Sequence, residues 1–424
     1  MGMIARLTGI LIAVLLGAGV ASAPAAAKLT HKARASARLP APAASTAPSA
    51  PGVPVTGIDT QAAHALIVEV ETGAVLLDKE ADQPFPPASL NKLMTAYVVF
   101  DLLKKGAAKL TDELPVSEEA WRMGGSKMFV PLGAKVSIDD LVHGMIIQSG
   151  NDACLVLAQG LAGSEQGFVD LMNKTAKEIG LKNSHFANVT GLPDPNGWVT
   201  ARDLATLAIR TIKDFPEDYK IYSEKEFTFN NIKQGNRNPL LYENEGADGL
   251  KTGHTEESGY SVTGSIKRGD RRIVIVLGGL PTMRARAQES ERLVDWAFRE
   301  FSDYRLFAAG ETIEDAPVWL GAAPRVPLAV GKDLVLTLSR QARAGMKVSL
   351  EYDSPIPAPI KQGETVGKID VTAPGLTPIE LPLVAAANVA RMDAIGRIAT
   401  LAGYLVWGRR HSLAALTSGI EERH

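Results

Sequence analysis

The apolar period of this chain changes from two to about 3.6 and back to two, and that order limits the possible folds more than any single motif. Residues 65–70 and 74–78 are short apolar runs flanking Glu71-Thr72-Gly73, which predicts a β-hairpin with glycine at the turn. Helical spacing follows. Leu93, Tyr97 and Phe100 recur after Ser89, Ser137-x-x-Asp140 reads as a capping box before 141–147, and Phe168, Met172, Ala176 and Ile179 make a stripe. Thr200-x-x-Asp203 caps 204–212. Strand patterns return at 227–229, 249–252, 260–266 and 272–277, before a closing helix over about 285–301. Strands on both sides of a helical block imply an α+β domain, one antiparallel sheet packed by helices. Beyond Asp303 the short runs 318–320, 334–338, 348–352 and 366–371 alternate with Gly and Pro turns, predicting a small all-β domain.

The ends of the chain differ in texture from both domains. A short basic start, an apolar run over 7–20 and small residues after it have the form of a secretory signal peptide, cleaved after Ala23 or Ala27. The apolar core is short for a membrane span of ~20 residues, so an uncleaved anchor is the weaker alternative. Residues 28–55 are rich in Ala, Pro and Ser and predict a flexible tether. The expected order is a signal peptide over 1–27, the tether over 28–55, the α+β domain over 56–302, the all-β domain over 303–387 and a C-terminal segment and tail over 388–424. Within 390–410, Met392, Ile395, Ile398, Ala402 and Leu405 follow helical spacing, with Arg391, Arg397, Arg409 and Arg410 beside them. That pattern suits an amphipathic helix on the lipid of the inner membrane's outer face, or one folded back on the β domain.

Charge and cysteine use exclude several functions. Lys and Arg number 45 against 47 Asp and Glu, so no overall field favours nucleic acid. The single cysteine, Cys154, permits neither a disulfide framework nor a Cys-rich metal site, and reads as a packed thiol. The seven histidines make no metal-binding pattern, and no cofactor motif is present, so neither metal nor cofactor is expected.

Three short motifs then carry the chemistry. In Ser89-Leu90-Asn91-Lys92 a helix-start serine has a lysine one turn along, which can take its proton if burial or a cationic neighbour lowers the lysine pKa. Lys251 is a candidate for that neighbour. Ser149-Gly150-Asn151 falls between helical segments: Ser149 can relay a proton to a leaving amine, and Asn151 can hold the Lys92 amine or a substrate amide. In Lys251-Thr252-Gly253, Lys251 and Thr252 can bind a carboxylate while Gly253 lets substrate approach the strand. Each motif alone has an ordinary structural reading, as a capped helix, a linker or a strand end. Their order and context together read as active-site-serine acyl transfer.

With Pro87-Ala88-Ser89-Leu90-Asn91-Lys92-Leu93-Met94-Thr95, Gln148-Ser149-Gly150-Asn151-Asp152-Ala153-Cys154, Asn236-Arg237-Asn238 and Asp248-Gly249-Leu250-Lys251-Thr252-Gly253-His254-Thr255, the chain resembles the serine-type D-alanyl-D-alanine carboxypeptidases, the low-molecular-mass penicillin-binding proteins. The likeness runs from about residue 53 to 407. It implies the penicillin-recognising transpeptidase/β-lactamase-like fold followed by a small β domain, and peptidoglycan peptides ending in D-Ala-D-Ala and β-lactam antibiotics as partners. It also implies Ser89 as the acylated residue, Lys92 as base, Ser149 and Asn151 lining the cleft, and Lys251 and Thr252 on the terminal carboxylate. The backbone N–H groups of Ser89 and His254 are implied as the oxyanion hole, and Arg286 as a residue near the carboxylate. Export follows from the signal-peptide form of the N-terminus, and the same likeness, whose members carry a similar C-terminal amphipathic anchor, implies an enzyme peripherally held on the periplasmic face of the inner membrane. A β-lactamase, a D,D-endopeptidase and a catalytically silent peptidoglycan-binding scaffold are the alternatives. The absence of an E-x-x-L-N segment, the β domain and the intact motifs speak against them in turn.

Overall fold

The computed structural model describes residues 58–396 and 398. The expected signal peptide and tether, and most of the C-terminal segment, lie outside the described residues. The described residues open with β1 (His64–Glu69) and β2 (Val75–Lys79), paired antiparallel. Gly73 takes the turn at φ 71, a conformation that costs glycine little. A 3₁₀ turn over Ala88–Asn91 leads into α1 (Lys92–Lys104). Then come β3 (Glu113–Pro115), α2 (Glu118–Arg122), β4 (Lys135–Ser137), α3 (Ile138–Ile146), α4 (Asn151–Ala162), α5 (Glu165–Glu178) and α6 (Ala201–Asp214). Both expected caps form: Ser137 Oγ accepts from the Asp140 N–H, and Thr200 Oγ1 from that of Asp203.

A small hairpin, β5 (Glu226–Phe229) with β6 (Ile232–Gly235), and α7 (Leu240–Glu243) precede three long strands. These are β7 (Ala247–Thr255), β8 (Gly259–Arg268) and β9 (Arg271–Leu280), followed by α8 (Met283–Glu300). The five-stranded sheet has the order β2-β1-β9-β8-β7, antiparallel throughout, so β1, the first strand described, lies beside β9, the last strand of the domain. Period two divides it between two cores. On β9, Val274 and Val276 join the helical core, while Ile273, Ile275 and Leu277 join the core under α8. Helix α1 runs through the first core with every residue from Lys92 to Phe100 buried, which explains why its apolar residues surround the whole helix.

The β domain contains β10 (Phe301–Phe307), β11 (Thr312–Trp319), β12 (Arg325–Val330), β13 (Leu334–Ser339), a short α9 (Arg340–Ala344), β14 (Lys347–Tyr352), β15 (Ile356–Pro357), β16 (Thr365–Thr372) and β17 (Ile379–Ala385). It forms a two-stranded sheet, β10-β13, and a six-stranded one, β14-β16-β17-β12-β11-β15, around its own core. Val389 and Arg391 are still bridged to Ile360 and Gly321. The two domains are tied by a chain of polar contacts. Arg271 pairs with the fully buried Glu69 at 2.7 Å and lies 3.7 Å from Asp303, Thr337 donates to Asp303, and the Thr72 and Thr337 hydroxyls meet at 2.5 Å.

Candidate active site

Ser89 does not open the α-helix as its sequence suggests; it lies in the 3₁₀ turn before it. The preceding Pro86-Pro87 and Ala88 at φ 44 keep the chain too tight for α geometry there. The tighter turn suits the motif, because residues i and i+3 of a 3₁₀ turn stand directly in line. Lys92 Nζ accordingly donates to Ser89 Oγ at 3.0 Å and to the Thr190 carbonyl at 2.6 Å. Ser89 is half-buried, whereas Lys92 is 1% exposed.

Burial without a carboxylate hydrogen-bonded to it penalises the ammonium, so the Lys92 pKa falls to about 8; Cys154 pulls it back up, Arg237 pushes it further down and Asp152 acts upward. Lys251 is held well below the ordinary lysine range, again first by burial and then by Lys92 and Arg237. Lys92 and Lys251 repel each other, so Lys251 is the cationic neighbour the motif suggests, with Arg237 beside it, and burial is the larger cause for both amines. The Cys154 thiol is buried and pushed up to about 11, which makes it inert packing.

Ser149 occupies the left-handed region at φ 61, and its buried Oγ has no hydrogen-bond partner among the described residues. Asn151 begins α4, and its Nδ2 donates to the Gly124 carbonyl at 2.8 Å. It therefore does not hold the Lys92 amine, whose acceptors are Ser89 and Thr190. β7 brings the third motif against the serine turn: Lys251 and Thr252 are buried there. A Cβ on Gly253 would lie 3.2 Å from Ala88 Cβ and 3.3 Å from Leu90 N. Glycine at this position makes room for the serine turn. His254 is exposed and stacks on Tyr260, ring centroids 3.9 Å apart. Arg286, on α8, lies over the same tyrosine at 5.8 Å and its Nη2 donates to the Arg237 carbonyl.

Several functional neighbours have no counterpart in the three motifs. Asn188 Oδ1 accepts from the N–H groups of Thr190 and Gly191, shaping the turn that presents the Thr190 carbonyl to Lys92. A Cβ on Gly191 would overlap the Ala88 carbonyl, so that turn packs directly on the serine turn. The run Asn188-Val189-Thr190-Gly191 has the Asx-turn signature that would have flagged it. Arg237 reaches the Ser126 hydroxyl at 2.6 Å, closing the rim between the β5–β6 hairpin and the segment after α2. Among the described residues no cluster of His, Cys, Asp or Glu suits a metal ion.

A serine beside a buried amine of lowered pKa, facing a strand that carries the buried Lys251, is suited to acyl transfer on a substrate ending in a carboxylate. Comparison with known proteins agrees. The D-alanyl-D-alanine carboxypeptidase family model matches residues 45–281, and the penicillin-binding protein 5 C-terminal domain matches residues 301–391. D-alanyl-D-alanine carboxypeptidase DacC of Escherichia coli is 41% identical over 78% of this chain and 85% of its own length. Penicillin binding protein 5 from Haemophilus influenzae superposes with a TM-score of 0.68 at 38% identity, covering 80% of this chain and all of that one. Penicillin-binding protein D2 from Listeria monocytogenes, solved in its ampicillin-bound form, has a TM-score of 0.53 at 29% identity over 57% of this chain and all of its own. The chain belongs to the D-alanyl-D-alanine carboxypeptidase family, as a serine-type carboxypeptidase of the penicillin-binding-protein fold with a C-terminal β domain.

Proposed function

We propose that Ser89 is the nucleophile that takes the acyl group from peptidoglycan peptides ending in D-Ala-D-Ala, and from β-lactams in the manner of the ampicillin-bound relative. The observation that carries this reading is the 3.0 Å contact between Ser89 Oγ and a buried amine of pKa about 8. Neutral Lys92 accepts the hydroxyl proton as Oγ attacks the carbonyl of the penultimate residue. The backbone N–H groups of Ser89 and His254 receive the developing oxyanion, and the half-buried position limits competition from water. Ser149, whose Oγ is unengaged, relays the proton held by Lys92 to the departing D-alanine amine as the C–N bond breaks, which returns Lys92 to its neutral form. Water then attacks the ester, with Lys92 again as base, and releases the shortened peptide.

Asn151 orients the substrate amide, while Lys251, Thr252 and the strand backbone at Gly253 hold the terminal carboxylate, with Arg286 behind them. Lys251 suits an anion on arrival: an entering carboxylate offsets the burial that disfavours its charge. Intact-mass spectrometry after penicillin exposure tests the assignment. One adduct is expected on the wild type and none on Ser89→Ala, and an adduct surviving on Ser89→Ala would sink it.

The enzyme is proposed to be exported and to rest on the outer face of the inner membrane through its C-terminal segment. Among the described residues no helix is long and apolar enough to cross a membrane. Ile395 and Ile398 are 79% and 69% exposed, which supports an apolar face free for lipid over one packed on the β domain. Arg391 is otherwise engaged, its Nε donating to the Ala358 carbonyl. Since Met392 N–H still bonds the Leu320 carbonyl, the informative truncation ends at Asp393. That chain should keep its activity on soluble peptide and leave the membrane fraction; undiminished sedimentation with membranes would place the anchor elsewhere.

A further inference from the structure

We propose that Asp152 is a positioning residue for the substrate site, acting by clamping the 124–130 segment against Asn151 and Arg237. Its carboxylate is fully buried and accepts from three successive backbone N–H groups, Met128 at 2.9 Å, Phe129 at 2.8 Å and Val130 at 3.2 Å. Among the described residues no side-chain cation pairs with it, so these charge-assisted bonds are what a buried anion has in place of water. They hold Phe129 at φ 68, a conformation a bulky residue adopts only when its surroundings impose it.

The same segment supplies the contacts that orient the site. Gly124 O accepts from Asn151 Nδ2, Ser126 O from the Asn151 N–H at 2.7 Å, and Ser126 Oγ from Arg237. Asn151 thus has one side of its amide occupied, which fixes the side left for substrate. Gly150 fits the same device: a Cβ there would lie 2.9 Å from Asp152 Oδ1 and 3.1 Å from Met128 N, between the carboxylate and its first donor. The middle residue of Ser149-Gly150-Asn151 is glycine because the clamp closes across it. The inference rests on the proposed role of Asn151 in binding substrate.

The test compares full-length wild type with Asp152→Asn, which keeps the size of the side chain but places an amide N–H₂ against backbone N–H donors. Hydrogen exchange should lose protection at least tenfold at Met128, Phe129 and Val130 and nowhere in the β domain. The kcat/KM on a D-Ala-D-Ala-ended pentapeptide should fall at least tenfold, at the plateau of its pH profile. Because the Asp152 charge also acts on Lys92, a role through charge alone would move the profile to lower pH with an unchanged plateau, and that result overturns the proposal. Leu76→Ala, a buried leucine of β2 in the other core, controls for stability: an equal Tm loss with wild-type kinetics is expected, and an equal kinetic loss overturns the proposal. Should Asp152→Asn not fold, Gly125→Ala decides alone. Its Cβ would meet Asn151 Nδ2 at 2.8 Å from the segment's other end, and wild-type kinetics there refute positioning. Asn151→Ala separates the two ideas: if it is fully active the role of Asn151 falls and the proposal with it, whereas an impaired Asn151→Ala beside an unimpaired Asp152→Asn sinks the proposal alone.

Discussion

The proposed base has a measurable signature in the pH dependence of acylation. With a pKa of about 8, about one Lys92 in ten is neutral at pH 7, against about three in ten thousand for an unperturbed lysine. Burial therefore supplies roughly 300-fold more of the competent form at neutral pH, before any effect of orientation. The second-order rate constant for acylation by penicillin should rise about 90-fold between pH 6 and 9 and level off above pH 8. Stopped-flow or fluorescent-penicillin labelling at a series of pH values measures it. Arg237 is a neighbour that helps hold Lys92 down, so Arg237→Gln should move the midpoint to higher pH. Lys251 is coupled to Lys92, and the profile belongs to the pair until one is removed. Lys251→Gln should therefore keep a rising limb if that limb is carried by Lys92. A midpoint near 10 in the wild type, or a downward shift in Arg237→Gln, would refute the account.

Three further outcomes follow from contacts already described. Lys92→Ala should fold yet acylate at least ~10²-fold slower, as expected for a lost general base, measured by the same labelling. Amidating the peptide's C-terminus should cost the wild type far more in kcat/KM than it costs Lys251→Ala; equal losses would remove the carboxylate role. Glu69 concerns stability: burial, then the Asp303 charge, raise its pKa from 4.5 to about 7 against the pull of Arg271. The folded state therefore binds its proton more tightly than the unfolded chain, so this contribution is complete below about pH 4.5 and is lost as pH rises through about 7. Glu69→Gln should flatten that slope, gaining on the wild type between pH 5 and 8 by at most about 3 kcal/mol in denaturant unfolding. An unchanged or steeper slope would exclude Glu69 as its source.

What was legible in the sequence is what depends on local pattern. The hairpin, the capped helices α3 and α6 and the three long strands follow from period and cap chemistry, and their antiparallel order follows from strands bracketing a helical block. The three motifs read as a helix start, a link between helical segments and a strand; the strand is β7, the second motif runs into the start of α4, and the first lies in a 3₁₀ turn before α1. Strands β12 and β17 escaped notice: both contain a proline, Pro327 and Pro382, which reads as a break unless the neighbouring strand is known. The residues that shape the site escaped for a different reason. Thr190 contributes a carbonyl, which no side-chain motif encodes, and Asp152 contacts backbone N–H groups that lie more than twenty residues earlier in the chain. Gly150, Gly191 and Gly253 were visible as glycines, but the atoms that exclude a side chain at each belong to segments brought together only by folding.

The reactive groups are thus written in the motifs, while their alignment depends on backbone atoms from loops between them. This division makes a specific claim about loss of function. At Gly253 a Cβ would meet Ala88 and Leu90 at 3.2 to 3.3 Å, so alanine there requires the strand and the serine turn to part by a few tenths of an ångström. Such a shift displaces the carboxylate clamp from the nucleophile while leaving every reactive group present, and displacements of this order at a reacting centre are costly because alignment must be regained at each turnover. Gly253→Ala should accordingly lower kcat/KM on the D-Ala-D-Ala peptide about tenfold, with the pH midpoint of acylation unmoved because Lys92 keeps its burial and its bonds. Full activity in Gly253→Ala would mean that the strand and the serine turn move independently. A shifted midpoint would mean that the strand governs the base as well as the clamp.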